Sequence, residues 1–219
     1  MQHEFEVQSS ELLVDAPILA VRRDQVRMPK GSTAAREIVE HFGAVAVVAF
    51  DGARIAMIRQ YRHAVGTRLW ELPAGLLDVA QEDPLECAKR ELQEEAGLAA
   101  QDWKLLVDVV LSPGFCDETV RVYLAQDLSE VPRPEAGDDE EADLTFEWVA
   151  LEDAVYMVLS QQVHNSTAVA GILTAWQVLK GGAQAQDADQ PFELRPRALA
   201  ARRQAEGFIG DMKKVPRGR

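Results

Sequence analysis

Eight consecutive residues, Gly43 to Phe50 (GAVAVVAF), carry no polar side chain. A strand with one face in water alternates apolar and polar residues, whereas a short, Val-rich unbroken run is covered on both faces. This segment is therefore expected at the centre of a sheet with further layers above and below it. Before it, Ile18 to Met28 alternates in part, Pro29-Lys30-Gly31-Ser32 signals a turn, and Glu37 to Glu40 continues in extended style. After it, Asp51-Gly52 predicts a tight hairpin into Arg54 to Ile58, and Leu69 to Leu72 is a further short extended piece. Later strands are expected at Leu105 to Leu111, Val120 to Ala125 and Leu144 to Val149, then helices at Leu151 to Leu159 and Ser166 to Leu179. Residues 181–190 read as a linker, and Arg195 to Arg219 as either a docked helix or a loose tail. Strands surrounding one central helix, with helices at the end, favour a mixed α/β sandwich over a doubly wound sheet.

That central helix has the clearest local signals. Asp83 is a good N-cap, Pro84 suits the first helical position, and Glu86 completes a capping-box pattern. Leu85, Ala88, Leu92 and Ala96 make an apolar stripe, and Gly97 is placed to end the helix. Beside the stripe, Glu91, Glu94 and Glu95 share one face at i, i+3 and i+4. Carboxylates at this density repel one another unless cations hold them, and hard oxygen ligands suit Mg²⁺ or Mn²⁺. Taken alone, a bare Glu-x-x-Glu-Glu reads better as a solvated acidic face. Arg90 can pair with Glu82 or Glu86 and brace the helix.

With 36 acidic residues against 23 Lys and Arg, the net charge of -13 argues against capture of nucleic acid or of an anionic membrane. No stretch approaches the ~18 uninterrupted apolar residues of a membrane span. The first residues, Met1 to Glu6, lack the basic and apolar regions of a signal peptide, so a cytoplasmic location is expected. Cys87 and Cys116 read as cytosolic thiols, with a single bridge left open.

Gly75, Glu82 and the run Arg90-Glu91-Leu92-Gln93-Glu94-Glu95-Ala96-Gly97-Leu98 resemble the Nudix box: Gly, five residues, Glu, seven residues, then Arg-Glu-U-x-Glu-Glu-x-Gly-U with U aliphatic. The departure is one extra residue between Gly75 and Glu82, which lengthens the loop entering the helix and leaves the carboxylate spacing untouched. Gln60-Tyr61-Arg62, Trp70 to Gly75, Arg36 to Gly43, Ser112-Pro113-Gly114-Phe115, and Pro113 placed sixteen residues after Gly97 are similar to the ADP-ribose pyrophosphatase branch, its actinobacterial members above all. The similarity spans roughly residues 4–203.

The resemblance implies a Nudix fold, an α/β/α sandwich with a mixed sheet and an N-terminal β-rich extension. It divides the chain into a β-rich dimerisation and substrate segment (1–42), a Nudix domain (43–180) and a linker with a basic arm (181–219). It implies metal ligation by the Ala74 carbonyl, Glu91, Glu94 and Glu95, with Glu82 and Arg90 as a structural pair. A loop carboxylate that activates water would be Glu140, with Glu141 one position away. Arg62 would hold the diphosphate or the base; Arg36, Glu37 and Glu118 are weaker candidates for substrate contact, and the first two read equally as edge-strand charges. The implied reaction is Mg²⁺- or Mn²⁺-dependent hydrolysis of ADP-ribose to AMP and ribose 5-phosphate, by a homodimer with exchanged N-terminal strands. The same chemistry on a nucleotide sugar, NADH or an oxidised nucleotide stays open, because pocket contacts and not the metal face set specificity. A non-catalytic ADP-ribose-binding module would tolerate loss of a metal carboxylate, and all three are present. His3, His41, His63 and His164 show no metal-ligand spacing, and Cys116, beside Asp117 and Glu118, is a poor thiolate.

Overall fold

In the computed structural model, which describes residues 3–134 and 144–213, eleven strands and four α-helices form three sheets and their covering layers. In chain order the strands are β1 (Val7–Asp15), β2 (Leu19–Arg27), β3 (Thr33–His41), β4 (Ala44–Ala49), β5 (Arg54–Arg62), β6 (Thr67–Glu71), β7 (Ala74–Leu76), β8 (Leu98–Val110), β9 (Thr119–Glu130), β10 (Thr145–Ala150) and β11 (Gln186–Asp187). The helices are α1 (Pro84–Ala96), α2 (Leu151–Leu159), α3 (Ser166–Leu179) and α4 (Ala198–Ala205). The sheets run β1-β2-β3, β10-β5-β6 and β11-β8-β9-β4-β7; β4 lies parallel to β9, and every other pairing is antiparallel. The fold is the mixed α+β architecture expected, with its N-terminal strands. Among the described residues no helix is long and apolar enough to cross a membrane.

β4 is covered on both faces, as its composition requires. Val45, Val47 and Ala49 share a core with Cys87, Ala88 and Leu92 of α1, while Ala44, Ala46 and Val48 point into the core built by α2 and α3. The expected hairpin at Asp51-Gly52 is only a turn. The Asp51 carboxylate accepts from the Ala53 and Arg54 amides at 3.0 and 2.7 Å, and a single Phe50–Ile55 bridge closes it. β4 and β5 then part into different sheets, because β7 and β9 already occupy both edges of β4.

α1 begins and ends where its caps direct. The Asp83 carboxylate accepts from the Leu85 amide at 2.8 Å, and Gly97 adopts the left-handed conformation (φ 66) that lets its N–H reach the Leu92 and Gln93 carbonyls. Glu86 pairs with Lys89 at 2.7 Å.

The C-terminal residues pack against the core. β11 pairs with β8, and beside it Arg121, 2% exposed, forks onto Asp108 at 2.8 Å while donating to the Gln190 and Pro191 carbonyls. α4 buries Leu199 with Ala20, Phe42 and Met212 in a third apolar cluster. Its arginines grip the N-terminal sheet: Arg202 reaches Glu40 at 2.9 Å, and the wholly buried Arg203 reaches Asp15 at 2.6 Å and the Ala16 carbonyl at 2.7 Å. Arg22 binds Glu40 from the other side at 2.7 Å. Of the open readings of this segment, residues 198–205 are a docked helix.

Candidate active site

β7 lies across the carboxylate face of α1, held in place by its pairing with β4 at Ala44–Leu76, Val45–Gly75 and Ala46–Ala74. The contact is close enough that a Cβ on Gly75 would overlap the Glu91 carboxylate and force that side chain to move. The Ala74 amide donates to Glu95 Oε2 at 2.8 Å. Ala74, Glu91 and Glu95, read separately in the sequence, therefore meet in one place, with Glu94 one helical turn from Glu91.

Arg90 organises the helix side of the site. Its Nε and Nη2 reach the two Glu82 oxygens at 3.0 and 3.1 Å, and its Nη1 reaches Glu91 at 2.6 Å and Glu94 at 3.0 Å. One guanidinium thus faces three carboxylates. Its hydrogen bond to Glu82 leads the causes that hold its pKa well above the usual arginine value, with the charge of Glu91 adding to it. The fork geometry explains why Glu82 is taken and Glu86 is left to Lys89.

The carboxylates themselves are strained electrostatically. Burial pushes Glu91 up to about 7, with Glu94 and Asp78 adding repulsion against the opposing pull of Arg90. Glu95 keeps little contact with water, and burial, with the charges of Glu91 and Glu71, pushes it up to about 8 despite the Ala74 amide and Arg62. Arg62 forks onto Glu71 at 2.9 and 2.6 Å beside Glu95, and Glu71 is 3% exposed.

A divalent cation suits this donor set. The ligating groups are hard oxygens, two of them desolvated and held against ionisation by one another, and a cation relieves both penalties at once. The side chains do not point at a common centre: Glu91 and Glu94 turn to Arg90 and Glu95 to the Ala74 amide. Among the described residues no three His, Cys, Asp or Glu groups converge as metal ligands.

The other candidates lie apart. Arg36 donates to its neighbour's carbonyl on Ala35, Glu37 pairs with Arg23 at 2.8 Å, and both are exposed on β3. Glu118 approaches His41 Nδ1 at 3.8 Å, in the loop that hydrogen-bonds to β3 through Val39. Burial raises the Cys116 thiol, with Glu118 and Asp117 adding to the effect. Glu140 and Glu141 lie outside the described residues. Two acids escaped the sequence reading. Glu71 sits in the quoted Trp-Glu-Leu-Pro run, where a charged residue in an apolar strand was the available signal. Asp78, 6% exposed, had no local signal, because its partner Lys213 (3.1 Å) is remote in the chain.

Residues 40–185 match the NUDIX domain, and residues 5–39 match the nucleoside diphosphate sugar hydrolase N-terminal domain. The chain is similar to an ADP-ribose pyrophosphatase of Mycobacterium tuberculosis, 55% identical over 92% of this chain and 98% of that protein. An ADP-ribose pyrophosphatase of Bacillus subtilis is 36% identical over 81% of this chain and 95% of that protein. Among solved structures, an ADP compounds hydrolase superposes with a TM-score of 0.72 at 20% identity, covering 84% of this chain and 98% of that one, a likeness of fold.

Proposed function

The chain belongs to the Nudix family, and from that premise we propose that it hydrolyses the pyrophosphate bond of ADP-ribose to AMP and ribose 5-phosphate, using Mg²⁺ or Mn²⁺. The observation that carries the substrate is its near full-length similarity to the mycobacterial enzyme, which extends through the N-terminal sheet and α4 as well as the catalytic domain.

When bound, divalent cations neutralise the diphosphate and acidify the attacking water. In this reading Glu91, Glu94, Glu95 and the Ala74 carbonyl hold them, and the Glu82–Arg90 fork keeps α1 in register with the loop before it. Glu140 or Glu141 accepts the proton of the attacking water. Arg62, fixed by Glu71, contacts the diphosphate or the base in this reading, while Arg36, Glu37 and Glu118 are weaker candidates for substrate contact. The ions also keep Glu91 and Glu95 ionised near neutral pH, against the burial that otherwise protonates them.

The partner we propose is a second copy of the chain. β1 is exposed along its whole length, and Phe5, Val7, Leu12, Leu13, Val14 and Ile18 present apolar surface of the kind a homodimer covers. Exchange of these strands would bring Arg36 and Glu37 to the other subunit's site. Nucleic acid and membrane are not partners in this reading, and the location is cytoplasmic.

A second reading, a nucleotide-sugar pyrophosphatase, is favoured by the family assigned to residues 5–39. Incubation with ADP-ribose, nucleotide sugars, NADH and oxidised nucleotides, with products identified, separates the two. AMP with ribose 5-phosphate, formed only with added metal and at the highest kcat/KM for ADP-ribose, supports the first. A preference for a nucleotide sugar replaces it, and binding of ADP-ribose without cleavage makes the protein a sensor.

A further inference from the structure

The loop of residues 77–82 joins the two halves of the carboxylate site. It leaves β7, whose Gly75 abuts Glu91, and it enters α1 at Glu82, the partner of Arg90. It is also the segment that carries one residue more than the family pattern. Gln81 turns it into the helix in a left-handed conformation (φ 64) that side chains other than glycine rarely adopt. Its start is fixed by Leu77, 1% exposed, whose amide donates to the Gly43 carbonyl at 3.1 Å, and its middle is left to contacts from elsewhere in the chain.

Residues 210–213 hold it. The Ala80 amide donates to the Gly210 carbonyl at 2.8 Å, the Met212 amide donates to the Asp78 carbonyl at 2.8 Å, and Val79 and Asp211 form an antiparallel bridge between them. Lys213 Nζ lies 3.1 Å from the Asp78 carboxylate, and Asp78 in turn adds to the repulsion felt by Glu91. Met212, 1% exposed, anchors the segment in the cluster of Ala20, Phe42 and Leu199, against which Ala80 also packs. Arg195, earlier in the same C-terminal region, donates to the Glu82 carbonyl at 3.2 Å.

We propose that residues 208–213 are a strap that positions the metal-binding face: paired with 78–80 like an added strand, they fix the loop that carries Glu82 to Arg90 of α1. Asp78, Gly210, Met212 and Lys213 are positioning residues that touch no substrate. The inference rests on the metal reading of Glu91, Glu94 and Glu95.

Gly210 gives a test confined to the backbone. Its φ of 82 suits glycine, is tolerated by asparagine and strains a β-branched residue, and nothing lies within 4 Å of a Cβ placed there. Full-length Gly210→Val and Gly210→Asn are compared with wild type in three measurements: hydrogen exchange at the Ala80 amide, Mn²⁺ binding without substrate, and steady-state hydrolysis. Gly210→Val is expected to release the Ala80 amide and weaken Mn²⁺ binding about tenfold, as loss of an orienting contact does. Its kcat at saturating Mn²⁺ should stay within about twofold, because no group in the reaction is lost. Gly210→Asn should restore all three. If Ala80 stays protected in Gly210→Val, Met212→Asp opens the strap by removing its apolar anchor, and the same expectation applies. An open strap with unchanged Mn²⁺ affinity overturns the proposal. A wild-type protein that binds no Mn²⁺ overturns the metal reading itself, and the strap's role with it.

Discussion

At the junction of α4 with the N-terminal sheet, Glu40 meets two guanidiniums, one from Arg202 and one from Arg22, which also pairs with Asp24 at 2.9 Å, and Arg203 has Asp15 and a carbonyl. On α1 the proportion is reversed: Arg90 is the guanidinium that Glu82, Glu91 and Glu94 share, and Glu95 has the Ala74 amide and the charge of nearby Arg62. Both regions remove acids from water. The first provides cations from the chain, so its charges are nearly finished, with only Arg203 Nε and Asp24 Oδ1 left without a hydrogen-bond partner among the described residues, and they hold elements together. In the second, burial first and the excess of negative charge after it push the carboxyls toward the neutral form, so they gain from an added cation. With burial common to both, the ratio of fixed cations to acids separates the structural cluster at α4 from the cation-binding cluster proposed on α1.

The sharpest break in this comparison is Glu95→Gln. It keeps the shape of the side chain and removes one ligand charge, and turnover of ADP-ribose should fall by about two orders of magnitude or more, roughly 3 kcal/mol of transition-state stabilisation. Circular dichroism should show an intact fold; a folded variant at wild-type rate would remove the carboxylate face from the mechanism. Glu140→Gln should slow turnover about tenfold or more with Mn²⁺ affinity retained, as loss of a general base does. Full activity in that variant moves the base to Glu141 or elsewhere.

Arg203→Met tests the finished side. It should cost roughly 2 kcal/mol of stability, seen as a lower urea midpoint, moderated because Asp15 keeps some access to water. Mn²⁺ affinity should follow only if the strap transmits the change. Asp83→Ala removes the α1 cap and should cost about 1 kcal/mol, with kcat at saturating metal nearly unchanged.

The smallest effect is a pH slope. In EDTA, Glu91 and Glu95 bind protons in the folded state, to about pH 7 and about pH 8, that they release near 4.5 when unfolded. Carboxyls raised in this way add stability that is full below about pH 4.5 and is lost as pH rises toward 8. Urea midpoints of the metal-free protein should therefore fall across that window, less steeply in Glu95→Gln. A flat profile would mean that the carboxylates of α1 are as well matched as those at α4.

Legibility in the sequence followed the range of the interactions. The caps of α1 were readable because Asp83 and Gly97 act on amides and carbonyls a few residues away. β4 was readable from composition alone, because burial on both faces excludes polar residues. The hairpin at Asp51-Gly52 was read correctly as a turn and wrongly as a pairing, since which strands take the edges of β4 is decided by β7 and β9. The N-terminal segment was legible as β-rich, but β1 was not placed within it, because its residues are exposed and its register comes from β2. At the site, the spacing of Glu91, Glu94 and Glu95 was visible from helical periodicity. Glu71 and Asp78 were not, because a buried acid announces itself only through partners that the fold supplies.

The strap and the α4 latch also set an order of events during synthesis. Arg195 meets a carbonyl 113 positions back, and Arg203 meets an acid 188 positions back. On a growing chain β4, β7 and α1 emerge long before the residues that steady the loop between them, and closure over such separations comes late. If the strap acts as proposed, the nascent protein has its carboxylates without their final alignment until the last turn of α4 and the residues after it have left the ribosome.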